Sequence, residues 1–198
     1  MSKILPNSPN TNTPLASNVA VEPLFATDYR IYINHTDAGG IVYHGNHLVF
    51  FENCRRDWFT KLGLNTYFLQ SDNGPAQHFV ISQANLQYQK AILLDETINV
   101  RIDKVELKPA SIVFYQSIHR HLPKDMTAST ATPKLSETLL SSAKIIIACV
   151  QNQTNTETNN RATTSATFPS AAPIRLIRIP KKLYDSIQHA IVQQQDKS

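Results

Sequence analysis

Asn46-His47-Leu48-Val49-Phe50-Phe51-Glu52-Asn53-Cys54-Arg55-Arg56-Asp57-Trp58-Phe59-Thr60-Lys61-Leu62, closed by Gly63, is the stretch from which the fold can be read. Leu48, Phe51, Cys54, Trp58 and Leu62 recur at helical spacing, and Val49, Phe50 and Phe59 widen the stripe. A helix this greasy is contacted on more than one side. Gly63 sits where a left-handed C-terminal cap belongs. Outward from the helix, the chain reads as strands. Tyr29, Ile31 and Ile33 alternate with polar residues as a half-buried first strand. Four further strand-like runs lie near 79–90, 97–107, 110–120 and 139–151. The last is apolar on both parities, as in a central strand. Short connections favour antiparallel pairing. Pro180 then opens an amphipathic helix carrying Leu183, Ile187, Ala190 and Ile191. The expectation is α+β: an antiparallel sheet of about five strands wrapped around one long helix, plus a C-terminal helix.

Composition sets the frame for that core. The chain has 198 residues, 41% hydrophobic and only 17% charged, so Ser, Thr, Asn and Gln supply most of its polarity. They concentrate in 1–26, 122–137 and 152–173. These segments are read as a mobile N-terminal arm and two polar insertions in one domain spanning 27–192, with 193–198 a tail. The longest apolar run, Ile145 to Val150, is far below the ~18 residues of a membrane span. Pro6 and a run of Asn and Thr cut short any secretory signal. Cys54 and Cys149 sit in apolar patterns, forming neither a metal pair nor a disulfide framework, which suits a reducing cytoplasm. The formal net charge of +4 lies largely in the last 24 residues and reads as a solvated helix, not a nucleic-acid site.

Chemistry points to Asn34-His35-Thr36-Asp37-Ala38-Gly39-Gly40-Ile41-Val42-Tyr43-His44-Gly45-Asn46-His47. A carboxylate and two glycines lead straight into the main helix. Free N–H groups at a helix start carry positive partial charge and can stabilise an oxyanion. Glycines admit close approach to the backbone, and the Asp37 carboxylate could attack a carbonyl or deprotonate water. The structural alternative is that Asp37 caps an Asx-turn and His44 fills a loop. No serine-hydrolase elbow, Walker loop or dinucleotide fingerprint is present. His35, Asp37, His44 and His47 match no zinc spacing, so no metal is expected. His119 and His121 read as surface.

Thr36-Asp37-Ala38-Gly39-Gly40-Ile41-Val42-Tyr43-His44, followed by Phe51-Glu52-x-x-Arg55-x-x-Trp58, resembles the hot-dog-fold acyl-CoA thioesterases of the 4-hydroxybenzoyl-CoA thioesterase family. The nearest branch is YbgC-like, associated with the Tol–Pal cell-envelope system. The likeness continues at Tyr88-Gln89-Lys90-Ala91, Leu94-Asp95-Glu96, Ser111-Ile112-Val113-Phe114 and Leu140 to Val150, and ends weakly at Arg178-Ile179-Pro180. It covers roughly 27–121, 138–151 and 174–192. The resemblance implies a hot-dog fold and hydrolysis of acyl-CoA to free acid and CoA. Asp37 is then the catalytic carboxylate. The His44 N–H polarises the carbonyl, with the His44 side chain near the reacting centre, and Gly39, Gly40, Tyr43 and Asn46 shape the substrate site. No cofactor is implied, CoA being part of the substrate. A cytoplasmic homodimer or homotetramer with active sites at the dimer interface is expected, and acyl carrier protein is a second candidate partner.

Asn34-His35 stand where acidic residues often precede the Thr-Asp pair. Gly45 and His47 replace bulkier or aromatic residues common at the helix start, so chain-length preference does not carry over. Two alternatives stay open: a non-catalytic acyl-carrier-protein-binding or scaffold module in envelope lipid metabolism, and an acyl-thioester hydratase or dehydratase. The second expects His five positions after Asp37, where Val42 stands. Lys104, Lys108 and Lys144 are the candidates for CoA's phosphates.

Overall fold

The computed structural model describes residues 22–64, 68–69, 77–121, 135–152 and 174–195. The elements are β1 (Phe25–Arg30), a 3-10 turn (Ile33–His35), α1 (His44–Lys61), β2 (Phe68–Leu69), β3 (Gln77–Tyr88), β4 (Thr97–Leu107), β5 (Ser111–Arg120), α2 (Leu135–Thr138), β6 (Leu139–Asn152), β7 (Ile174–Leu176) and α3 (Lys181–Gln195). The strands form one antiparallel sheet in the order β1-β4-β5-β6-β3-β2, with β7 paired to the end of β6. Five long strands match the expected number; β2 and β7 are short additions.

α1 lies across one face of the sheet. Phe50, Phe51, Cys54, Trp58 and Phe59 are buried, and Cys54 Sγ reaches the Val100 carbonyl oxygen of β4 at 3.5 Å. The Trp58 and Phe59 rings stack at 5.5 Å, and each meets Phe114 of β5 edge-on at 6.1 Å. The same face of β5 and β6 supplies Ile112, Ile118, Ile145 and Ile147. α3 adds Leu183 and Ile187 to this core. The C-terminal cap of α1 is a Schellman motif. Gly63, at φ 70°, donates its N–H to the Thr60 carbonyl oxygen at 2.9 Å, and Leu64 donates to that of Phe59 at 2.8 Å.

Four details differ from the sequence reading. β1 begins at Phe25, inside the expected arm, because it pairs with β4 from Phe25 opposite Ile102 to Arg30 opposite Thr97. Ile33 belongs to the 3-10 turn, 72% exposed. Val49 is exposed, whereas Arg55 on the same helix is buried, its Nη1 donating to Gln116 Oε1 at 2.7 Å and its guanidinium 5.6 Å from the Phe114 ring centre. His119 is buried rather than on the surface, with Nδ1 2.9 Å from Thr138 Oγ1 and Nε2 3.0 Å from Ser117 Oγ. Most of 1–26, 122–137 and 152–173 lies outside the described residues, as does 196–198.

Candidate active site

The Asp37 turn is built from its own backbone and carboxylate. The Asp37 N–H donates to the Ile41 carbonyl oxygen at 2.9 Å, and Gly40 N–H to that of Asp37 at 3.1 Å. Asp37 Oδ1 accepts from Gly39 N–H at 2.8 Å, an Asx-turn contact. A Cβ at Gly39 would lie 3.2 Å from that oxygen, and Gly40 has φ 73°, so glycine chemistry fixes this turn. The Asx-turn reading and the catalytic one are compatible: Asp37 is exposed and holds the turn through one carboxylate oxygen.

Two hydrogen bonds, one from the backbone and one from a side chain, fasten the turn to the helix. Tyr43 N–H donates to the His35 carbonyl oxygen at 3.0 Å, and Asn46 Nδ2 donates to the same oxygen at 2.7 Å. Asn46 thus braces the entry to α1. Tyr43 is the N-cap, and Asn46 N–H is taken by its carbonyl at 2.8 Å. The N–H groups of His44 and Gly45, ahead of it in the first turn, have no acceptor within the helix. Asp37 stands seven residues before this positive helix end.

The segment 91–96 supports both halves. Val42 N–H donates to the Ile92 carbonyl oxygen at 2.9 Å, Leu94 N–H to that of Gly40 at 3.0 Å, and Ile41 bridges Leu93. Arg120 clamps the segment from the end of β5. Its Nε donates to Glu96 Oε1 at 3.1 Å, and its Nη2 to Glu96 Oε2 at 3.2 Å and the Ala91 carbonyl oxygen at 2.9 Å. Glu96 Oε2 also accepts from Leu93 N–H at 3.2 Å. The paired fork makes this an orienting contact. Sequence reading missed Arg120, since nothing local announces a partner 24 residues away.

A cleft of about 280 Å³ opens beside the helix start, lined by Ile41, Val42, His44, His47, Tyr88 and neighbours in 89–92. Of the six candidate residues, His44 alone lines it; Asp37, Gly39 and Gly40 form the adjoining turn. Tyr43 is 48% exposed, its ring 4.2 Å from that of His44. Tyr88 and His47 are cleft residues to which the sequence reading gave no catalytic or substrate-binding role. Tyr88 donates its hydroxyl to the His44 carbonyl oxygen at 3.2 Å. Burial, and then nearby His44, lower the His47 pKa to about 4, so this imidazole is neutral at pH 7.

Lys104 and Lys144 flank Tyr115, at 5.3 and 5.5 Å from its ring centre, on the sheet face opposite Phe114 and α1. They do not converge with the cleft; its lysine is Lys90. Among the described residues no three His, Cys, Asp or Glu side chains converge as metal ligands, and no helix is long and apolar enough to cross a membrane.

A long helix wrapped by an antiparallel sheet, with an Asp-turn at its N-terminus, is a hot-dog fold. The model of the Thioesterase superfamily matches residues 39–124. Acyl-CoA thioesterase YbgC of Haemophilus influenzae is 33% identical over 111 residues, covering 56% of this chain and 78% of that protein. Acyl-CoA thioester hydrolase YbgC of Escherichia coli O157:H7 is 25% identical over 127 residues, covering 64% and 82%. The chain therefore belongs to the thioesterase superfamily. Among solved structures, a 4-hydroxybenzoyl CoA thioesterase complexed with 4-hydroxybenzoyl CoA superposes with a TM-score of 0.55 at 17% identity, covering 81% of this chain and 96% of its own. A Thermus thermophilus protein gives 0.58 at 17% identity, covering 84% and 98%. These two likenesses speak for the fold.

Proposed function

We propose that the protein hydrolyses acyl-CoA thioesters to a free acid and CoA. The observation that carries this reading is the coupling of the Asp37 turn to the start of α1 through Tyr43 and Asn46, beside the cleft. The names of the YbgC relatives support the substrate class. In this reading the thioester carbonyl lies against the His44 N–H, where negative charge on oxygen is stabilised. By one route, an Asp37 oxygen attacks the carbonyl carbon, CoA thiolate leaves and is protonated, and water hydrolyses the resulting anhydride. By the other, Asp37 takes a proton from water as that water attacks, and the tetrahedral species expels the thiolate.

A homodimer belongs to the same reading. β3 is 12 residues long, and among the described residues β2 pairs with it on that side only at Gln77 and His78. Ile41, Tyr43, Ile81, Tyr88 and Leu93 are each 41–53% exposed around that edge and the cleft. Such an edge invites a second copy. The test is thiol release from short, long and aromatic acyl-CoAs and from acyl carrier protein thioesters, with sedimentation at the assay concentration. Turnover by a dimer is expected. An inactive protein that captures acyl carrier protein would favour the binding-module alternative, and a fully active monomer would contradict the shared site.

The Arg120 clamp gives a further expected result. Arg120→Gln should lower kcat roughly 10-fold, because small misplacements of a reacting group are costly. KM and Tm should change little. Wild-type kcat in this variant would show that the segment 91–96 holds its place without the clamp.

A further inference from the structure

Resting on the thioesterase reading, we propose that His47, held by the buried Ser141, is a hydrogen-bonding subsite of the cleft that selects acyl groups carrying a hydroxyl on the α or β carbon. His47 is 4% exposed and Ser141 fully buried. Ser141 lies on β6 opposite Tyr88 of β3, and His47 drops from the first turn of α1 onto this pair. His47 Nδ1 lies 2.9 Å from Ser141 Oγ, and the imidazole meets the Tyr88 ring edge-to-face at 5.0 Å. One ring nitrogen is thereby committed. The other, Nε2, has no protein partner among the described residues, although the ring is nine-tenths buried and lines the cleft. Nε2 is open to the cleft, where a ligand group that donates or accepts can pair with it.

The cleft wall mixes apolar Ile41, Val42, Ala91 and Ile92 with polar His44, Tyr88, Gln89 and Lys90. Burial keeps the imidazole neutral, which argues against an anionic group as the preferred partner. A hydroxyl both donates and accepts, so it satisfies Nε2 in either tautomer. Position follows from the helix. His47 is three residues beyond His44, about 4.5 Å along the axis. With the carbonyl on the His44 N–H, the group facing His47 lies two or three bonds farther along the acyl chain.

The experiment compares kcat/KM of the full chain for butyryl-, 2-hydroxybutyryl- and 3-hydroxybutyryl-CoA. Calorimetry runs alongside with the inert thioethers S-butyl-, S-(2-hydroxybutyl)- and S-(3-hydroxybutyl)-CoA. Wild type should favour at least one hydroxylated compound by about 10-fold or more in both measurements. His47→Leu should bring that ratio to within about two-fold, and Ser141→Ala, which frees the ring, should reduce it part of the way. Ser141→Ala carries the test if His47→Leu does not fold. Equal affinities in wild type, or an undiminished ratio in His47→Leu, would overturn the proposal. Hydroxyl-selective binding without cleavage of any acyl-CoA would leave the subsite standing and sink the hydrolytic reading instead.

Discussion

Asp37→Asn is expected to lower kcat on every cleavable acyl-CoA by about 10²–10⁴-fold, the range for losing a positioned acid–base group. KM should stay within a few-fold. Asparagine is the informative replacement because its Oδ1 can still accept the Gly39 N–H, so the turn keeps its shape. The variant loses only the negative charge and the basic oxygen. Steady-state thiol release measures the effect, and wild-type turnover in Asp37→Asn would remove the carboxylate from the mechanism. Single turnover in ¹⁸O-water separates the two routes: label in the Asp37 carboxylate supports covalent attack, and unlabelled Asp37 supports general-base catalysis.

The second large effect is on stability. Trp58→Ala should cost about 3–5 kcal/mol, the usual loss for truncating a buried aromatic side chain. Trp58 is 2% exposed and touches both Phe59 and Phe114, so its removal opens the seam between α1 and β5. At about 2–4 °C per kcal/mol for a chain of this size, Tm should fall by roughly 10 °C. Urea unfolding at matched protein concentration is the measurement, because dimer formation would itself shift the midpoint. A cost below about 1 kcal/mol would mean that α1 is not the centre of the core.

Much of this architecture was legible in the sequence because periodicity reports burial. The widened stripe from Leu48 to Leu62 marked a helix enclosed by a sheet. The strand expected at 97–107 coincides with β4, and the double parity of 139–151 marked a central strand, which is β6, lying between β5 and β3. Gly63 announced its own cap. What could not be read were long-range polar contacts. Nothing near Arg55 in the sequence announced its burial, yet Gln116, 61 positions away, accepts from its guanidinium inside the core. His119 is buried for the same reason: its partners Ser117 and Thr138 come together only in the folded sheet. β1 was misplaced because its register is set by β4, not by its own alternation.

The candidate site divides along the same line. The Asp37–Gly40 turn and the helix start are local, so sequence located them together. The segment 91–96, the Arg120 clamp, the cleft residue Tyr88 and the buried Ser141 belong to distant parts of the chain. Only pairing of β3 with β6 brings the last two beside α1. His47 drew notice in the sequence as a departure from the family's bulkier residues, but its hydrogen bond to Ser141 is visible only in the fold.

The central claim is that the thioester carbonyl rests on the N-terminus of α1 beside Asp37. Amide NMR of the full chain tests it with an inert acyl-CoA analogue whose carbonyl is separated from sulfur by a methylene. The expected result is a saturable downfield shift of the His44 or Gly45 amide proton that is absent with S-butyl-CoA, which has no acyl carbonyl. Saturable binding of the carbonyl analogue that leaves both amides unmoved would contradict it.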